Sequence, residues 1–145
     1  MTIRGVRFAR LLFVVLPLAG ILTGYFLHMA AAKPPAPVKM VFSHIGLITD
    51  EKKPNERYVE ATKVWVNDFQ NHPFHIEWLR FEPDSPVKGP VREKPHVAYM
   101  VESIAEASKG LKELLAPFDA GIAVVGFYET EDGAVVEFME MKEGQ

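Results

Sequence analysis

"KPHVAYMVES" (residues 94–103) decides how this chain is read. A proline leads into six residues that are apolar except for the first, His96, and a Ser-x-x-Glu pattern follows at Ser103 and Glu106. Taken alone, this is a buried strand whose histidine keeps one hydrogen bond. But the stretch has a counterpart: "HIGLI" (44–48) matches "HVAYM" (96–100), each with His, a β-branched residue, a small residue and two apolar ones. Further on, "IEWLRFE" (76–82) matches "VEFMEMK" (136–142), each with Glu second in an apolar strand. His to Glu spans 33 residues in the first copy (44 to 77) and 41 in the second (96 to 137). The same order twice, with the same residue types, points to an internal duplication.

The remaining segments fill in the two copies. "KMVFSHIGLIT" (39–49) reads as a strand and "DEKKPNE" as a polar loop. "RYVEATKVWVNDF" (57–69) places Tyr58, Ala61, Thr62, Trp65 and Phe69 along one helical face, so a helix is expected. "FHIEWLRFE" (74–82) alternates as a strand, and "PDSPVKGPVREKP" is a proline-rich linker. In the second copy a strand at 96–101 precedes an expected helix over 102–115, with Ser103 and Glu106 as its capping box and Pro117 as its stop. Strands at 120–130 and 133–141, joined by the turn "EDG", complete it. The first copy is shorter by about one strand and turn, so its middle hairpin is expected to be missing.

Alternation along the strands sorts side chains by face. His44 shares a face with Gly46 and Ile48, and His96 with Ala98 and Met100, so each histidine has a small residue two places on. Glu77 shares a face with His75, Leu79 and Phe81, and Glu137 with Val135, Met139 and Met141. If the copies pack symmetrically, His44, Glu77, His96 and Glu137 converge on a pseudo-twofold axis. Two buried carboxylates side by side repel, and a divalent cation between them removes that cost. "HPFH" (72–75) has a metal-like spacing but lies in a turn, and His75 is a candidate partner for Glu77.

"SHIGLIT", "HIEWLRFEPDSP", "PHVAYMVESIAEA" and "EDGAVVEFMEM" resemble the vicinal oxygen chelate superfamily, which includes glyoxalase I, methylmalonyl-CoA epimerase, extradiol dioxygenases and bleomycin resistance proteins. The resemblance covers about residues 40–142. It implies an α+β fold of paired βαβββ modules (about 40–84 and 95–142, the first shortened) whose sheets curl around a metal cleft. It also implies that His44, Glu77, His96 and Glu137 are the metal ligands. That His/Glu/His/Glu set is similar to bacterial glyoxalase I and the epimerases.

Oxygen and nitrogen ligands without sulfur suit one divalent ion of Zn, Ni, Co, Mn or Fe. Such an ion can chelate two vicinal oxygens of a small-molecule substrate and stabilise an enediolate or enolate in a lyase- or isomerase-type proton transfer. Glu137 is the first candidate for the base, with Glu77 the symmetric alternative. The competing reading is a non-catalytic module that sequesters or confers resistance to a small molecule, using Trp78, Tyr99, Phe127 and Phe138.

The N-terminus is different in kind. Arg4, Arg7 and Arg10 precede a run without charge from Leu11 to Ala32, with Ala30, Ala31 and Ala32 at its end. Residues 1–32 therefore read as a membrane anchor or a signal peptide, and residues 33–39 as a stiff proline-rich linker. Either way the following domain is expected on the outer, periplasmic side, tied to the membrane by the helix or exported. No acid occurs before Asp50; beyond the first ten residues 13 Lys and Arg face 19 Asp and Glu. That acidic balance, with no basic stripe, excludes nucleic acid as a partner. The chain has no cysteine, which removes thiol catalysis and cysteine-ligated metals. A homodimer is a further expected partner arrangement, in which a second copy completes the open first module.

Overall fold

Alternating burial along short strands, rather than helical periodicity, organises the domain. The computed structural model describes residues 37–142, all within one compact unit, Pro35–Gln145. The anchor or signal expected at 1–32 lies outside the described residues. Among the described residues no helix is long and apolar enough to cross a membrane.

The strands are β1 (Met40–Ile48), β2 (Arg57–Val59), β3 (Val64–Val66), β4 (Ile76–Phe81), β5 (His96–Val101), β6 (Lys112–Asp119), β7 (Ala123–Glu129) and β8 (Val135–Met141). Two one-turn helices, α1 (Pro90–Glu93) and α2 (Ile104–Ala107), and a 3-10 turn at Phe69–Asn71 are the helical parts. The strands form one mixed sheet in the order β2-β3-β4-β1-β5-β8-β7-β6, curled into a half-barrel.

The duplication appears in the topology. β1 runs parallel to β4, which continues antiparallel to β3 and then β2. β5 runs parallel to β8, which continues antiparallel to β7 and then β6. The registers agree as well: Gly46 lies opposite Glu77, and Ala98 opposite Glu137. The halves meet where β1 and β5 pair antiparallel, with His44 opposite Ala98 and Gly46 opposite His96.

Two expected helices are corrected. Residues 57–69 form the hairpin β2–β3 and the 3-10 turn, not a helix. Tyr58 pairs with Trp65 and Val59 with Val64 across a turn in which Lys63 has φ 48°. Val59, Val64 and Val66 are buried at period two, and β-branched valines suit a pleated surface better than a helix. The first half thus keeps its hairpin; what it lacks is the helix. In the second half the helix over 102–115 is only the turn α2, capped by Ser103 Oγ accepting from Glu106 N at 3.3 Å. α2 ends at its C-cap Ser108, and a further turn with Gly110 at φ 81°, closed by Leu111 N donating to Ser108 O at 3.0 Å, leads into β6. Pro117, expected to stop a helix, instead sits inside β6, where an edge strand tolerates its missing N–H.

The proline-rich segment 83–95 is a structured plug. Ser85 is buried, donating to Thr62 O at 2.6 Å and accepting from Val87 N at 3.2 Å. Val87 and Val91 fill the concave side with Ala98, Val125, Phe127 and Met139. A second cluster (Val59, Val64, Val66, Leu79) joins it through Phe81 and Phe118. On the outer face of the second half, Ile104 of α2 packs with Val101, Tyr128 and Phe138. The first half has no such helix. There the loop 50–56 folds over β4 instead: Lys53 Nζ sits 4.7 Å above the Trp78 ring, and Glu56 accepts from Arg80 Nη2 at 2.7 Å.

Candidate metal centre

The curled sheet brings His44, Glu77, His96 and Glu137 together on its concave side. Each comes from one of the four central strands, β1, β4, β5 and β8. They are 1, 7, 2 and 4% exposed respectively. One ligand atom from each lies within 4.8 Å of all the others. His44 Nε2 is 3.3 Å from Glu137 Oε2 and 3.5 Å from Glu77 Oε2, and His96 Nε2 is 3.0 Å from Glu137 Oε2.

The register explains why the histidines fit. Side chains directly opposite one another on β1 and β5 are His44 with Ala98 and His96 with Gly46. The two small residues therefore make room for the partner strand's imidazole. A Cβ at Gly46 would lie 1.9 Å from His96 Cε1 and 2.2 Å from Nε2, so this position has no space for a side chain.

The separations fall in hydrogen-bonding range, yet the alignment does not. His44 Nε2, His96 Nδ1, His96 Nε2 and Glu137 Oε2 are buried without a hydrogen-bond partner. Buried polar atoms are nearly always paired; His96 Nδ1 faces away from the cluster, but the three that meet there, His44 Nε2, His96 Nε2 and Glu137 Oε2, need a reason. A common ligand supplies it. A coordination shell of about 2.1 Å radius sets adjacent ligand atoms roughly 3.0 to 3.4 Å apart, near the contacts seen. Two carboxylates and two neutral imidazoles also balance the charge of a divalent ion. The donor set and its spacing fit such an ion.

Without an ion the charges settle among themselves. Burial by itself would lower the His44 pKa, but contact with Glu137 and then Glu77 outweighs it and raises it to about 9. Burial pushes the Glu137 carboxyl up, and the His44 and His96 imidazoles more than reverse this, holding it well below the usual carboxylate range.

Neighbours that local pattern does not mark complete the site. Ser43 Oγ lies 3.1 Å from His44 Nδ1, so an Nδ1–H donated to it leaves Nε2 with its lone pair toward the cluster. The Phe69 ring stacks on His44 with centroids 4.4 Å apart, and Phe127 meets His96 edge-on at 5.1 Å. The adjacent Ser-His pair was the only hint for Ser43. Phe69 arrives from the 3-10 turn, which sequence periodicity assigned to a helix.

His75 does not join the four. It is exposed, at φ 51°, with its ring near Phe42 and Phe69 at 6.3 and 6.5 Å. His72 Nδ1 accepts from Phe74 N at 3.2 Å, so "HPFH" is a turn and not a ligand set. Trp78 lies against Lys53 on the outer face, and Tyr99 and Phe138 pack with the α2 side; of the four aromatics expected in the cleft, Phe127 alone adjoins the histidines.

Access to the cluster runs past one of its four members. Glu77 lines a cavity of about 390 Å³ together with Arg57, Asn67, Asp68, Phe69, Gln70, Ile122 and Met141. That volume suits a small molecule. A second cavity, of about 40 Å³, lies among Val59, Leu79, Phe81 and Phe127, with Glu77 and Arg57 again in its wall. A scan against protein-family models finds no match to this chain, and a search of curated proteins finds none either.

Proposed function

We propose that the protein is a metal-dependent member of the vicinal oxygen chelate superfamily, acting on a small molecule that chelates the ion through two adjacent oxygens. The observation that carries this reading is the buried, convergent and unpartnered set His44, Glu77, His96 and Glu137. The repeated strand order and register of the two halves support the family reading. When bound, the ion supplies Lewis acidity to the substrate's oxygens and lowers the energy of an enolate or enediolate. His44, His96 and Glu137 hold it from the interior. Glu77 is the ligand that borders the ligand-sized cavity, so it takes the role of base in a lyase- or isomerase-type proton transfer. Glu137, equally suited by residue type, is closed in by both imidazoles and serves as an anchor.

The test is metal analysis of the full-length protein after exposure to Zn, Ni, Co, Mn and Fe(II). One equivalent of a divalent ion is expected, with His96→Ala and Glu137→Ala reducing its affinity at least about 100-fold. Wild type without stoichiometric metal, or variants that bind it unchanged, overturns the reading. With metal confirmed, Glu77→Gln is expected to abolish exchange of a substrate C–H proton with solvent while a chelating ligand still binds.

A further inference from the structure

The cleft beside the proposed metal centre carries one cation that no carboxylate neutralises. Arg57 pairs with Val66, and Val66 with Leu79, two residues beyond Glu77. In-register residues share a face, so Arg57 stands on the concave side, about 12 Å from Glu77 between backbones by strand spacing. Arg57 and Glu77 are the two residues common to the walls of both cavities. The guanidinium donates to Ala120 O at 3.1 Å, and among the described residues no acid pairs with it. Asp68, the other acid of the larger cavity besides Glu77, is engaged already: Oδ1 accepts from Gln70 N at 2.9 Å and Oδ2 from Asn71 Nδ2 at 2.6 Å.

Resting on the metal-centre reading, we infer that Arg57 selects the substrate: a small acid with chelating vicinal oxygens at one end and an anionic group a few carbons away at the other. The two glutamates already neutralise a divalent ion, so a further negative charge on the substrate needs its own counter-charge. Arg57 offers one, with several free N–H donors in a planar fork that matches a carboxylate or a phosphate. Its bond to Ala120 also ties β2 to the β6–β7 turn, holding the fork at the cavity wall.

The test uses full-length protein loaded with Co(II), whose visible absorption reports ligation. The probes share a chelating 2-oxo acid head: 2-oxopentanoate with a neutral tail, 2-oxoglutarate with a carboxylate tail, and its phosphonate counterpart. A tail charge is expected to tighten binding about 10- to 100-fold over 2-oxopentanoate in wild type. Arg57→Gln, which keeps a donor for Ala120 O, is expected to erase that preference and leave 2-oxopentanoate unchanged. Arg57→Lys is expected to keep part of it. The stronger of the two charged probes tells carboxylate from phosphate. A preference absent in wild type, or intact in Arg57→Gln, overturns the inference while the metal reading stands. A cobalt spectrum that no probe alters overturns the proposed chelation of vicinal oxygens and this inference with it, while the metal site stands.

Discussion

The imidazole of His96 lies flat against the space in front of Gly46, leaving 1.9 Å between its Cε1 and any Cβ placed there. The contact is backbone against a ring that is itself buried, so neither side can give way cheaply. Gly46→Ala is therefore expected to cost about 1–3 kcal/mol and to push His96 off the cluster, lowering metal affinity at least about tenfold. Ala98→Gly, at the equivalent position, is expected to cost about 1 kcal/mol and leave metal binding intact. Thermal melts and metal titration of both variants check the pair. Unchanged metal affinity in Gly46→Ala would show that His96 is not a ligand.

Metal binding is expected to release protons. In the metal-free cluster His44 stays protonated until the pH rises through about 9, because Glu137 and Glu77 hold its charge against the cost of burial. An incoming divalent ion needs the neutral imidazole, so affinity rises with pH up to that value and falls on acidification. Calorimetric titration at pH 7 in buffers of different ionisation enthalpy counts the protons. About one per ion is expected, and a count of zero would contradict the ligand set.

The loop that covers the outer face of the first half is expected to loosen in acid. Glu56, whose side chain is 3% exposed, accepts from Arg80 Nε at 3.2 Å, Arg80 Nη2 at 2.7 Å and Lys53 N at 2.7 Å. The Arg80 bond holds the Glu56 carboxyl below its usual value of 4.5, against the opposing effect of burial. A depressed folded pKa contributes stability above about 4.5 that is lost as the pH falls through the folded value. Glu56→Gln is expected to flatten the acid limb of a stability–pH curve. A curve parallel to wild type below pH 5 would sink this assignment.

Gly110→Ala separates the two readings of residues 102–115. If the segment were a helix, alanine would stabilise it by about 1 kcal/mol. The chain instead turns at Gly110 with φ 81°, so alanine is expected to destabilise by about 1–2 kcal/mol. Chemical denaturation gives the sign directly.

The duplication, the four central strands and the convergence of the four site residues were legible in the residues because they rest on short-range pattern. Alternation fixes the face on which His44, Glu77, His96 and Glu137 project, and a repeated order of residue types needs no coordinates to be seen. The segments 57–69 and 102–115 were not legible, for opposite reasons. The first places apolar residues at both helical and period-two spacing, and pairing of Val59 with Val64 and Tyr58 with Trp65 settles which is used. The second holds good helix formers (Leu111, Lys112, Glu113, Leu114), but five cross-strand partners on β7 offer a ladder that local propensity cannot foresee. The same holds for the site. Its four converging side chains follow from sequence, whereas the partner-strand fit of His96 over Gly46, the stacking of Phe69 on His44 and the approach of Arg57 to the cleft depend on the curl and register of the whole sheet. Those arise from packing between residues far apart in the chain, where no local spacing carries the information.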